Sequence, residues 1–155
     1  MTVDKSGAAR GLLPTSLMSD EVAVATPQQI YLAFMKGGAE YLQAAASLSK
    51  DILVPKYILI FHSIELFLKA FLSNKGVPIG ELKSRKFGHD LVRLFEDASA
   101  NGLVISYKDT FEYISWINEF HSAPLRREFV EARELPQLEK IREVAEAIES
   151  ACGRA

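Results

Sequence analysis

Cysteine is nearly absent from this chain of 155 residues: the single thiol, Cys152, excludes an intramolecular disulfide and any metal cluster built on cysteine. Neither sign of charge dominates either. The 18 Lys and Arg face 20 Asp and Glu, a formal net charge of −2, so any RNA binding has to come from a local patch and not from a global field. Long hydrophobic runs are missing as well. The greasiest window, ILIFHSIELFLKAFL from Ile58 to Leu72, contains His62, Glu65 and Lys69 and falls short of the ~20 apolar residues that span a bilayer. The first residues, MTVDKSGAARGLLPTSLMSDE, carry charge at both ends and no uninterrupted apolar core, which argues against a signal peptide. These absences lead to the expectation of a cytoplasmic protein with no membrane partner. Several chemistries lack their motifs. GGAEY and KGVPIG match neither common phosphate-binding glycine loop, no G-x-S-x-G is present, and no paired-histidine zinc spacing occurs, so no metal or other cofactor is expected.

Turning to what is present, 48% hydrophobic and 25% charged residues are enough for one globular domain with its own core. Residues 1–25, rich in small and polar types without a sustained period, read as a poorly ordered arm with room for a short helix near LLPTSLM. The domain is placed at residues 26–152. Thr26 as N-cap, Pro27 at the first helical position and Gln29 two residues on predict a helix start. Ile30, Tyr31, Phe34, Tyr41 and Leu42 continue it to about Leu48, with Gly37 and Gly38 offering close approach to a partner helix. Pro55 marks a second start, and from Tyr57 to Leu72 nearly every position is apolar, the pattern of a central helix buried on most sides, with Asn74 to Gly76 ending it. A loop with Pro78 and Gly80 leads to a third helix from about His89 to Ala100, stopped by Asn101 and Gly102. Asp109 or Thr110 can cap a fourth helix to about Phe120, whose Trp116, Phe111, Tyr113 and Phe120 suit core or dimer packing. After a loop containing Pro124 and Pro136, Leu138, Ile141, Val144 and Ile148 mark a last helix, with Cys152 just beyond its expected end. The fold class is all-α, an antiparallel bundle of four to five helices.

Two stretches carry candidate chemistry. On the buried helix, His62 and Lys69 lie seven residues apart and nearly eclipsed, with Glu65 about 60° away. Glu65 and Lys69 stand at i and i+4 in the favourable order, so they either pair along the one wet edge of the helix or face a groove where Glu65 orients a histidine and Lys69 meets a phosphate. The second stretch is KSRKFGHDLVRLF, Lys83 to Phe95. Lys83, Arg85, Lys86 and Arg93 outnumber Glu81 and Asp90 there, a patch that could hold an anion or an RNA backbone. His89 and Asp90 are either the first turn of a helix or, in the case of His89, part of a reaction centre or of a binding site that does not cleave. Farther on, Arg126, Arg127 and Arg133 alternate with Glu128, Glu131 and Glu134 and are expected to pair among themselves.

The elements IELFLKAFL at Ile64 to Leu72, KFGHDL at Lys86 to Leu91, and LRREF before Pro136 together resemble the HEPN superfamily, small helical domains of prokaryotic toxin–antitoxin and defence systems. The resemblance covers Thr26 to Cys152. It implies a bundle that pairs with a second copy around a shared cleft, with Gly37, Gly38 and the aromatic helix as contacts. Many HEPN members are metal-independent ribonucleases marked by an arginine, four to six residues, then a histidine. Arg85 and His89 are the matching candidates here, but only three residues separate them; Lys83 stands at the family spacing without the planar guanidinium fork. The resemblance also places an arginine-bearing loop near the cleft, which makes Arg126 a binding candidate beside Lys69, Glu65, Lys83 and Lys86.

Three functions follow as expectations. The first is a HEPN-like dimeric module that binds RNA, a nucleotide or a cognate protein such as an antitoxin. The second is a metal-independent endoribonuclease toxin, with His89 as general acid or base and Arg85 as phosphate ligand. The third is a purely structural helical subunit whose polar stripe is an ion pair.

Overall fold

Thr26 opens the first helix with the capping box its sequence predicts. Its hydroxyl accepts from the Gln29 amide at 3.2 Å, and the Gln29 side chain accepts from the Thr26 amide at 2.9 Å. The computed structural model describes residues 24–84, 89–122 and 138–154. The expected N-terminal arm falls almost wholly outside them, as do Arg85, Lys86 and the loop that carries Arg126. The described residues contain helices α1 (Pro27–Ser47), α2 (Leu53–Asn74), α3 (Ile79–Leu82), α4 (Leu91–Ala100), α5 (Thr110–Ser122) and α6 (Leu138–Gly153), and no strand. None of these helices is long and apolar enough to cross a membrane.

α2 is the axis of the bundle. It packs against α1, α3, α4, α5 and α6, and its buried positions run almost without a break from Ile60 to Ser73. Phe61, Ile64, Phe67, Leu68 and Leu72 are fully enclosed. Each such side chain contributes about 1.5–3 kcal/mol of transfer free energy. Around α2, one cluster joins Leu42 and Ala45 of α1, Leu91 and Leu94 of α4, Ile114 and Ile117 of α5, and Ile141, Val144 and Ile148 of α6. Trp116 and Phe120 stack with ring centroids 5.8 Å apart, and both pack on Tyr57, so this aromatic group works in the core. Phe111 is the exception and stays exposed.

Helix ends follow local chemistry. Gly76, at φ 95°, turns the chain so that the Val77 amide donates back to the Leu72 carbonyl at 3.1 Å; Gly102, at φ 100°, does the same for Leu103 and Ala98 at 2.9 Å. Asp90 caps α4 by accepting from the Arg93 amide at 3.1 Å. His89 therefore precedes the helix instead of beginning it.

Several boundaries differ from expectation. The loop after Pro78 forms one helical turn, α3. Of the two cap candidates, Thr110 is the first residue of α5 and its hydroxyl donates to the Tyr107 carbonyl at 2.7 Å, while Asp109 stands directly before the helix and its carbonyl accepts from the Tyr113 amide at 3.1 Å. Cys152 lies inside α6, not beyond it; burial pushes its thiol up to about 12, and its carbonyl accepts from the Tyr31 hydroxyl at 3.0 Å. Gly38 makes the close approach the sequence suggested, but with α2 of its own chain. A Cβ there would stand 2.5 Å from the Phe67 ring, and one on Gly37 would stand 3.1 Å from Leu66. Gly38 is thus buried within the protomer.

Candidate functional site

The polar stripe on α2 does not lie along a wet edge. Glu65 is only 4% exposed and Lys69 is buried beside it, with Lys69 Nζ 2.6 Å from Glu65 Oε1. The ion pair expected at i and i+4 forms, but inside the protein, because α4 and α5 close over this part of α2. A buried carboxylate keeps its charge only where donors surround it.

The donors arrive from two elements. His62, one turn before Glu65, places Nδ1 3.4 Å from Oε2. His89, just before α4, places Nδ1 3.0 Å from Oε1 and 3.2 Å from Oε2. Burial by itself would raise the Glu65 carboxyl. Hydrogen bonds from His62 and Lys69, the Lys69 charge and the His89 hydrogen bond outweigh it and hold the group down to about 2. Glu65 is therefore an ionised acceptor at neutral pH, and it selects the tautomers of both histidines. Each imidazole donates its Nδ1 proton to the carboxylate, which leaves Nε2 for other work. The His89 side chain is 68% exposed, so its far edge faces solvent while its near edge touches a buried charge.

The third histidine completes the cluster. The His121 ring stacks on Phe61 at a centroid distance of 3.7 Å, with planes 11° apart. It stands 5.6 Å from the His62 ring and 6.2 Å from the His89 ring, and His62 and His89 are 6.3 Å apart. All 3 histidines of the chain thus meet in one place around Glu65 and Lys69. Tyr41 of α1 borders the group, its ring 5.4 Å from His62. Among the described residues no set of three or more His, Cys, Asp and Glu is disposed to hold a metal ion.

Asn118 of α5 positions the His89 edge. Its Oδ1 accepts from the Leu91 amide at 2.8 Å, and its Nδ2 donates to Asp90 Oδ1 at 3.4 Å. One side chain thereby ties the start of α4, with His89 directly before it, to the helix that carries His121.

Of the residues the sequence singled out, Glu65, Lys69 and His89 are brought together. Lys83 is exposed at the end of α3 and takes no part in the cluster. Arg85, Lys86 and Arg126 lie outside the described residues. His121, Asn118 and Tyr41 had no motif to announce them. The only available signal for His121 was residue type, because a chain with 3 histidines that gathers them all suggests a use for imidazole. Comparison with protein-family profiles, with curated proteins and with solved structures finds no match to this chain.

Proposed function

We propose that this chain is a HEPN-like helical module that cleaves RNA without a metal ion, using the histidine cluster as its acid–base centre. The observation that carries the reading is the pair of Nδ1 contacts from His62 and His89 to one buried, ionised Glu65. A carboxylate behind an imidazole sets its tautomer and stabilises its protonated form, the requirement for proton transfer near neutral pH.

The reaction is a transesterification. Nε2 of neutral His89 takes the proton of a ribose 2′-hydroxyl, and the oxygen attacks the adjacent phosphorus. The bond to the 5′-oxygen breaks as protonated His62 gives that oxygen its Nε2 proton. The products are a 2′,3′-cyclic phosphate and a free 5′-hydroxyl. Arg85, four positions before His89, is the candidate to hold the phosphate oxygens, with Lys83 and Lys86 of the same basic stretch adding attraction for the backbone. The HEPN resemblance adds an antiparallel bundle arrangement, a second protomer across the cleft and restraint by a cognate antitoxin. Leu32 and Tyr41 of α1, both exposed, suit such a contact.

The test is incubation of mixed-sequence RNA with the purified protein in EDTA, beside His89→Ala, His62→Ala and Arg85→Ala proteins of matched folding. Loss of cleavage in the two histidine variants supports the mechanism. RNA bound but left intact by the native protein assigns a binding module instead, and cleavage that survives both histidine changes removes the reading. Light scattering checks the dimer: a strict monomer at micromolar concentration counts against a shared cleft.

A further inference from the structure

A second feature lies away from the histidines. A cavity of about 550 Å³ opens between the C-terminal end of α1, the first turns of α2 and the start of α6. Its volume is in the range of small-molecule sites. Lys56 and Ile60 line it from α2, and Ile60 and His62 point about 200° apart around that helix, so the two sites open on different faces.

Lys56 is the unusual element. It is only 8% exposed, yet its side chain takes part in no hydrogen bond or ion pair with another described residue. It also sits near the positive end of α2, where a cation is disfavoured. Its aliphatic stem is buried, and the cavity it lines is where its charge can be met. Lys50 and Arg142 line the same space, against one carboxylate, Glu139. Arg142 is braced by Glu139 and by Glu146, the latter at 3.3 Å and not part of the cavity wall. The lining therefore carries two more positive than negative charges. Ile60 and Leu138 supply an apolar wall beside them.

We infer that this cavity is a binding site for a small organic phosphomonoester, with the phosphate held by Lys56, Lys50 and Arg142 and an apolar body against Ile60 and Leu138. A phosphomonoester presents three strong acceptor oxygens, enough to meet Lys56, Lys50 and the free edge of Arg142 together, where a carboxylate presents two. The site is independent of the RNA-cleaving reading.

Calorimetric titration of the full chain with phenyl phosphate, inorganic phosphate and benzoate tests it. Phenyl phosphate should bind at one site and more tightly than either comparison ligand. Lys56→Met, which keeps the stem and removes the charge, should weaken binding by about tenfold or more, the loss expected for one charge-assisted hydrogen bond. Lys50→Gln, a change at an exposed position that leaves the core alone, should weaken it in the same direction. His89→Ala should leave the affinity unchanged, which separates this site from the histidine cluster. The inference is overturned by no binding at about 10 mM phenyl phosphate, a very weak limit, by wild-type affinity in both lysine variants, by inorganic phosphate binding as tightly as phenyl phosphate, or by loss of binding in His89→Ala.

Discussion

Glu65 concentrates the electrostatics of this protein in one side chain. Its carboxyl is held at about 2, against an ordinary value near 4.5, by His62 and Lys69 of its own helix and by His89, which reaches it only when the start of α4 packs against α2. Because the folded value is depressed, the resulting stability is fully present above the unfolded value and is lost as pH falls from about 5 through about 2; its size is roughly 3 kcal/mol. Denaturation midpoints of the native protein and Glu65→Gln, followed from pH 7 to pH 2, should differ most at neutral pH and converge in acid. A constant difference would mean that the carboxylate charge contributes nothing through its partners. Removing one member of the buried pair is a harsher change. Glu65→Ala leaves Lys69 buried without its anion and should cost about 3–5 kcal/mol, while adding Lys69→Met to it should restore much of the loss. Equal destabilisation in the single and double variants would show that the pair is not coupled. The sequence placed these two residues at i and i+4 and left open whether they pair along a wet edge or face a groove where Glu65 orients a histidine; they pair, and the same carboxylate also meets His89. The sequence could not show that the pair is dry, since burial depends on helices contributed from elsewhere in the chain.

At the scale of elements, the contact between α1 and α2 and the tie between α4 and α5 have different consequences. Gly38 lets α1 lie close over Phe67, and Gly38→Ala puts a methyl group into that ring. The overpacking should cost about 1–3 kcal/mol in a urea denaturation, with the histidine cluster intact in the surviving folded protein. Asn118 acts mainly on position. Asn118→Leu removes the acceptor of the Leu91 amide and the contact to Asp90, a loss of about 1 kcal/mol in stability. In RNA cleavage the same change should lower kcat far more than it raises KM, because it loosens His89 relative to His62, and Asn118→Asp, which keeps an acceptor for the Leu91 amide, should recover part of the rate. An unaltered kcat would show that His89 is held without Asn118. The start at Thr26 and the stops at Gly76 and Gly102 were readable, since these residues act on their immediate neighbours, whereas the start expected at His89 falls two residues later, at Leu91 behind the Asp90 cap. The extension of α5 through Ser122 was not readable. Its last turn carries His121, whose ring stacks on Phe61, a contact between distant parts of the chain that no local pattern signals.

For the molecule as a whole, α2 is both the centre of the core and the floor of the candidate site. Phe67→Ala should cost about 3–5 kcal/mol as a cavity opens between α1 and α2. A loss below about 1 kcal/mol in guanidinium titration would show that the core collapses around the gap. Tyr107 ties the far side of the bundle, its hydroxyl donating to Glu143 of α6 at 2.5 Å, and that hydrogen bond raises the phenol to about 12. The all-helical class, the central helix and most capping residues were set by the sequence alone, because helical period, caps and turn glycines act over a few neighbouring residues. The site was decided only in three dimensions. His62, His89 and His121 stand 27 and 32 residues apart and share no motif; they meet because α4 and α5 pack across one face of α2, and long-range packing, unlike a cap or a turn, leaves no fixed spacing along the chain.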